Sequence, residues 1–141
     1  MNQPRFELLS ETVIEMRRRK KEEALVLIYS GGVRSGTDAA RLIALGANAV
    51  VYGVAAALAL GGEIGQSQIE WRSDRAPGER TDGLTSILNA HAGEASMMAR
   101  CTGKTCLHNL EPEDLRSVTL ATSAATNIPV PGHNVTRARL L

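Results

Sequence analysis

The chain has 141 residues, enough for one domain or a piece of one, and its 43% hydrophobic content is too high for a disordered polypeptide. Aromatic residues make up only 3%, so the core must be aliphatic, and a formal net charge of +1 argues against broad binding to nucleic acid. No apolar run reaches the roughly 18 residues of a membrane span, and two cysteines in a chain without a signal-peptide pattern point to a reducing, cytoplasmic setting.

Residues 6–22 read as an amphipathic helix, with Phe6, Leu9, Val13 and Met16 at helical spacing and Leu8 widening the stripe. The basic run Arg17 to Lys21 is followed at once by Glu22 and Glu23, as at the solvated end of a helix. Residues 24–29 form a continuous apolar run, the pattern of a strand buried on both faces of a parallel sheet. A turn follows, Ser30-Gly31-Gly32-Val33-Arg34-Ser35-Gly36, and then a short helix over 37–45. Ser35 or Thr37 suits its N-cap, and Gly46 its stop. Residues 49–52 are a second buried strand ended by Gly53, and 54–60 a small-residue helix closed by Gly61-Gly62. This β-α-β-α order with short connections implies a parallel sheet.

The next stretch is less legible. The polar run from Arg72 to Gly83, with Pro77 and Gly78, reads as an exposed loop, and 84–98 as a helix. Residues 99–110 look irregular. Pro112, followed by Glu113 and Asp114, suits the first turn of a helix reaching about Thr126. Residues 1–132 make up the expected domain, and 133–141 a C-terminal tail.

The turn at 30–36 carries the chemistry. Two glycines after a strand let backbone N–H groups approach an anion with no Cβ in the way. The following helix start adds free N–H groups and partial positive charge, and the Arg34 guanidinium can fork onto phosphate oxygens. The second strand repeats the arrangement at Gly53-Val54. Adjacent parallel strands bring both loops to one face, giving a two-loop phosphate cradle of Ser30, Gly31, Gly32, Arg34, Gly53 and Val54, as at the last two strands of many barrels. The rival is an ordinary α/β unit with turn glycines. An open nucleotide-binding sheet is disfavoured because the Gly-x-Gly-x-x-Gly pattern is missing.

The block Leu27-Ile-Tyr-Ser-Gly-Gly-Val-Arg-Ser-Gly36, with Gly46-Ala47 and Val51-Tyr52-Gly53, resembles strands seven and eight of FMN-dependent (β/α)8 barrels. Taken alone it also fits inosine monophosphate dehydrogenase-like and 2-hydroxyacid oxidase-like barrels. Met97-Met98-Ala99-Arg100-Cys101-Thr-Gly-Lys-Thr-Cys106 resembles the iron–sulfur region that follows the barrel in the glutamate synthase large subunit. His108-Asn109-Leu110-Glu111-Pro112-Glu113-Asp114-Leu115 is similar to the continuation in stand-alone glutamate synthase domain-2 proteins, including the methylglutamate synthase type. The resemblance implies the C-terminal part of an α/β TIM barrel that binds FMN. The implied oxidoreductase passes flavin electrons to 2-iminoglutarate, made from 2-oxoglutarate and ammonia, in glutamate biosynthesis.

The same resemblance implies a three-iron cluster on Cys-x5-Cys-x4-Cys. Cys101 and Cys106 match the second interval, but the first position falls on Ala95, and there is no third cysteine. A complete cluster is therefore not expected, and the pair reads as small, partly buried residues without metal. His91 and His108 do not complete a recognised zinc spacing with them. His108 is expected to cap or pack, and His133 falls in the tail. No catalytic acid or base is identifiable. A full barrel takes about 250 residues, so this chain is expected to be a truncated product, a subunit completing a barrel from two chains, or a small α/β protein that closes differently. A non-catalytic assembly module is the alternative to the enzyme reading.

Overall fold

The computed structural model describes residues 6–66, 68–71 and 74–132. In order these form α1 (Phe6–Arg18), β1 (Ile28–Ser30), α2 (Gly36–Ala44), β2 (Ala49–Val51), α3 (Val54–Ala59), β3 (Gly62–Ile64), β4 (Ile69–Trp71), α4 (Pro77–Cys101), two 3-10 turns (Leu107–Asn109 and Pro112–Asp114) and α5 (Leu120–Thr126). The expected tail, with His133, lies outside the described residues.

β1 and β2 are adjacent and parallel, with Tyr29 opposite Val50, and α2 crosses between them. β1 is shorter than the apolar run 24–29. The Asn48 side chain accepts from the Leu27 N–H at 2.7 Å and the Asn48 N–H donates back to the Leu27 carbonyl at 2.8 Å, so the pairing starts there. Among the described residues, those before Leu27 have no strand opposite them.

One face of this strand pair is covered. Leu27, Tyr29, Val50 and Tyr52 pack on a core of Leu9, Val33, Ala39, Leu42, Ile43 and Ile128. Strand alternation sends Val26, Ile28 and Val51 to the other face, where they are 75%, 58% and 43% exposed. The expectation of strands buried on both faces therefore holds for one face within the described residues. Both outer edges of the pair are also unpaired there.

α4 is the element that departs furthest from its expected bounds. It starts at Pro77, seven residues before the expected start at Leu84, inside the stretch read as an exposed loop. Pro77 and Gly78 suit a loop by composition, but proline at the first helical position loses no internal hydrogen bond. The Ala76 N–H is taken by the Glu79 carboxylate at 3.2 Å. Ahead of α4 stands an antiparallel hairpin, β3–β4, pairing Gly62 with Trp71 and Glu63 with Glu70. Its strands are short and carry facing glutamates, so they gave no apolar alternation to read.

α2 and α4 meet through small residues. Ala40 and Ala44 on α2 cluster with Ala99 on α4. One turn before Ala40, the Gly36 backbone lies so close that a Cβ there would sit 2.1 Å from the His91 carbonyl oxygen and 2.6 Å from the Ala95 nitrogen. The expected helix over 112–126 is two pieces instead. A 3-10 turn at Pro112–Asp114 gives way to extended chain, tied by the Ser117 N–H to the Pro129 carbonyl at 3.0 Å. α5 then starts at its own N-cap, where the Thr119 hydroxyl accepts from the Thr122 N–H, and ends at Asn127 with φ 60°. No helix among the described residues is long and apolar enough to cross a membrane.

Candidate functional site

Because β1 and β2 run parallel, Ser30-Gly31-Gly32-Val33-Arg34 and Tyr52-Gly53-Val54 emerge at the same end of the sheet. The first loop needs its glycines, since Gly31 and Gly32 have φ of 122° and 68°, a region that disfavours any Cβ. Val33 is buried and pins the loop to the core, while Arg34 and Ser30 stay exposed. The Arg34 N–H donates to the Asp38 carboxylate at 3.1 Å, but its guanidinium reaches that group only at 3.8 Å and the side chain is 85% exposed. It is held loosely enough to meet an anion from solvent. Gly53 has an ordinary φ of −85°, and a Cβ there would meet nothing within 4 Å. Neither backbone strain nor crowding among the described residues calls for glycine at 53.

One part of the expected cradle is corrected. The first turn of α2 does not offer free donors to a ligand. The Gly36 N–H donates to the Glu94 carboxylate at 2.8 Å, the Thr37 hydroxyl donates to the other Glu94 oxygen, and the Ser35 hydroxyl accepts from the Asp38 N–H at 3.1 Å. The Arg34 N–H is likewise taken by Asp38, so the groups left for the expected cradle are the loop amides at 31–33, the turn at Gly53-Val54 and the Arg34 side chain.

Sequence reasoning missed three residues here. Tyr52 donates its hydroxyl to the Ser35 carbonyl at 3.2 Å, joining the second loop to the first. His91 is buried, with its ring centroid 4.9 Å from that of Tyr52. Glu94 comes from α4. The i, i+3 spacing of His91 and Glu94 within a helix was the available signal, but nothing local says which surface that helix covers.

The hydrogen bond from the Thr37 hydroxyl, followed by that from the Gly36 amide, holds the Glu94 carboxyl below its ordinary value of 4.5, with the nearby His91 adding a little. Burial, and then the negative charges of Glu94 and Asp38, push the Tyr52 hydroxyl up. A carboxylate with a depressed folded pKa contributes stability above its unfolded pKa and loses it as pH falls through the folded one. The difference in urea midpoint between wild type and Glu94→Gln is therefore expected to be full near neutrality and to shrink on acidification below 4.5. A difference independent of pH would mean that charge plays no part in this cap.

Cys101 and Cys106 are both free and exposed, not partly buried as the sequence suggested. His108 Nε2 lies 3.3 Å from the Asn48 carbonyl oxygen, a packing role at the foot of β2. Among the described residues no group of three or more His, Cys, Asp or Glu side chains is placed to hold a metal ion.

Residues 5–70, from α1 through most of β4 and including both loops, match the family model of FMN-dependent dehydrogenases. A glutamate synthase large subunit-like protein of Rhizobium meliloti (strain 1021) is 34% identical over a 135-residue alignment that covers 75% of this chain and 30% of that protein. No solved structure matches the chain. The matched stretch, 66 of the 141 residues, points to the class of FMN-dependent dehydrogenases. Within that class, the chain belongs to the glutamate synthase-type FMN-domain family and spans about 30% of the length of its curated relative.

Proposed function

We propose that this chain supplies the FMN phosphate cradle of a glutamate synthase-type oxidoreductase, as strands seven and eight of a (β/α)8 barrel. The observation that carries this reading is the meeting of two glycine loops at one end of a parallel strand pair, with the Arg34 guanidinium exposed beside them. The family match over 5–70 supports the same assignment. Gly31, Gly32 and Gly53 let backbone approach the phosphate, Arg34 neutralises it, and Ser30 and Val54 flank it. Bound FMN would supply the electrons that reduce the imine of 2-oxoglutarate and ammonia; the chain's own part is to hold and orient it.

The bare sheet face favours completion by further strands. Val26, Ile28 and Val51 lie on the side that a barrel interior would cover, and among the described residues both strand edges are open to pairing. The partner fitting them is a polypeptide carrying the other parallel strands of the barrel. The 2-oxoglutarate site would come from those strands. No glutamate is therefore expected from this chain alone when FMN, a chemical reductant, ammonia and 2-oxoglutarate are supplied. Amino-acid analysis of the mixture checks this, and glutamate above the protein-free control contradicts it. The same exposed face supports a second reading, an assembly module without redox activity; flavin absorbance in the completed barrel separates the two.

A further inference from the structure

We infer that α4 is a strut that fixes both phosphate loops at once, with Glu94 and His91 as positioning residues for the FMN phosphate. The inference rests on the FMN reading above and gives a role to a helix outside the 5–70 match.

Glu94 closes the first loop from below. The opening N–H groups of a helix have no partner inside it, and a carboxylate is favoured at that positive end. Glu94 takes both the Gly36 N–H and the Thr37 hydroxyl, across 58 and 57 residues of sequence and immediately after Arg34-Ser35. The Arg34-Ser35 segment therefore runs between two fixed points, Val33 in the core and Gly36 on Glu94, directly after the two glycines. His91 lies three residues earlier and so on the same face of α4. Its buried ring lies against Tyr52, the residue before Gly53. The Tyr52 hydroxyl then reaches back to the Ser35 carbonyl. Both loops are thus tied to one helix face and to each other, and the contact of the Gly36 backbone with His91 and Ala95 sets the spacing.

A simple helix cap would also stabilise α2, so the test must read the loops separately. Two measurements do this. In the full chain without flavin, amide hydrogen exchange over 31–37 and at Gly53-Val54 reports loop order. With the barrel-completing polypeptide present, FMN and riboflavin affinities report phosphate positioning. Glu94→Ala is expected to speed exchange at Gly36 and Thr37 at least about tenfold, the effect of losing one or two hydrogen bonds to a charged acceptor. It should weaken FMN by about tenfold and riboflavin by less than about twofold. Glu94→Gln keeps one acceptor oxygen and should restore part of both effects, and it covers the case in which the alanine variant fails to fold. His91→Ala should loosen Gly53-Val54, while His91→Phe, which keeps a ring, should not. The strut is overturned if Glu94→Ala and Glu94→Gln leave exchange over 31–37 unchanged, or weaken FMN and riboflavin equally. If wild type itself binds both flavins alike, the phosphate reading fails, and the exchange arm alone decides whether α4 holds the loops.

Discussion

Gly36→Ala is expected to destabilise the fold by about 3 kcal/mol, the upper end of the cost of overpacking. Alanine normally improves a helix. Here its Cβ would lie 2.1 Å from the His91 carbonyl oxygen, 2.6 Å from the Ala95 nitrogen and 2.8 Å from the Glu94 Cβ. Two of these are backbone atoms, which no rotamer change can move. α2 and α4 would have to part, breaking the Ala40–Ala44–Ala99 contact and drawing Glu94 away from the Gly36 N–H. Gly93→Ala is the control. Gly93 also lies in α4, but a Cβ there meets nothing within 4 Å, so the variant should gain about 0.5–1 kcal/mol from helix propensity. Urea denaturation of the two variants checks the contrast. Equal, small effects would mean that the α2–α4 contact is too loose to resist a methyl group.

The second large effect is on the ligand. Arg34→Ala is expected to weaken FMN by about 1.5–3 kcal/mol, the usual range for a hydrogen bond to a charged group, or roughly ten- to a hundredfold in affinity. The Arg34 side chain is 85% exposed and its guanidinium comes no nearer to the Asp38 carboxylate than 3.8 Å, so its loss should cost the fold little. Riboflavin, which has the ring but no phosphate, should lose little on the same substitution. Gly32→Val should weaken FMN too, because Gly32 holds a φ of 68° that a branched residue resists. Paired fluorescence titrations of FMN and riboflavin measure the difference. An unchanged FMN affinity in a folded barrel would remove Arg34 from the cradle.

The two glycine loops and the elements around them were legible because their signals are local. A strand, two glycines and a capped helix within a dozen residues leave few conformations open, and α2, β2 and α3 fall within a residue of their expected bounds. The illegible parts depend on distant partners. β1 begins only where Asn48 can pair with Leu27, which the apolar run 24–29 cannot reveal. The hairpin has facing glutamates where alternation was sought. Pro77 and Pro112 are the same signal with different outcomes: one opens a 25-residue helix and the other a three-residue turn. The residues downstream of each proline make the difference. Beyond Pro77 the chain packs its small residues on α2, whereas Ser117 is drawn out of a helical path by its bond to Pro129. Glu94 was invisible as a site residue because its partners, Gly36 and Thr37, lie 58 and 57 residues away.

The most direct test of the phosphate cradle is a nitrogen-15 glycine spectrum of this chain joined to, or mixed with, the strands that complete the barrel. Adding FMN should shift the amide resonances of Gly31, Gly32 and Gly53, and adding riboflavin should leave those three nearly in place. Glycines remote from the loops, such as Gly78 and Gly103, should move with neither. Equal shifts with FMN and riboflavin, or FMN shifts that spare all three loop glycines, would contradict the assignment of these loops to the flavin phosphate.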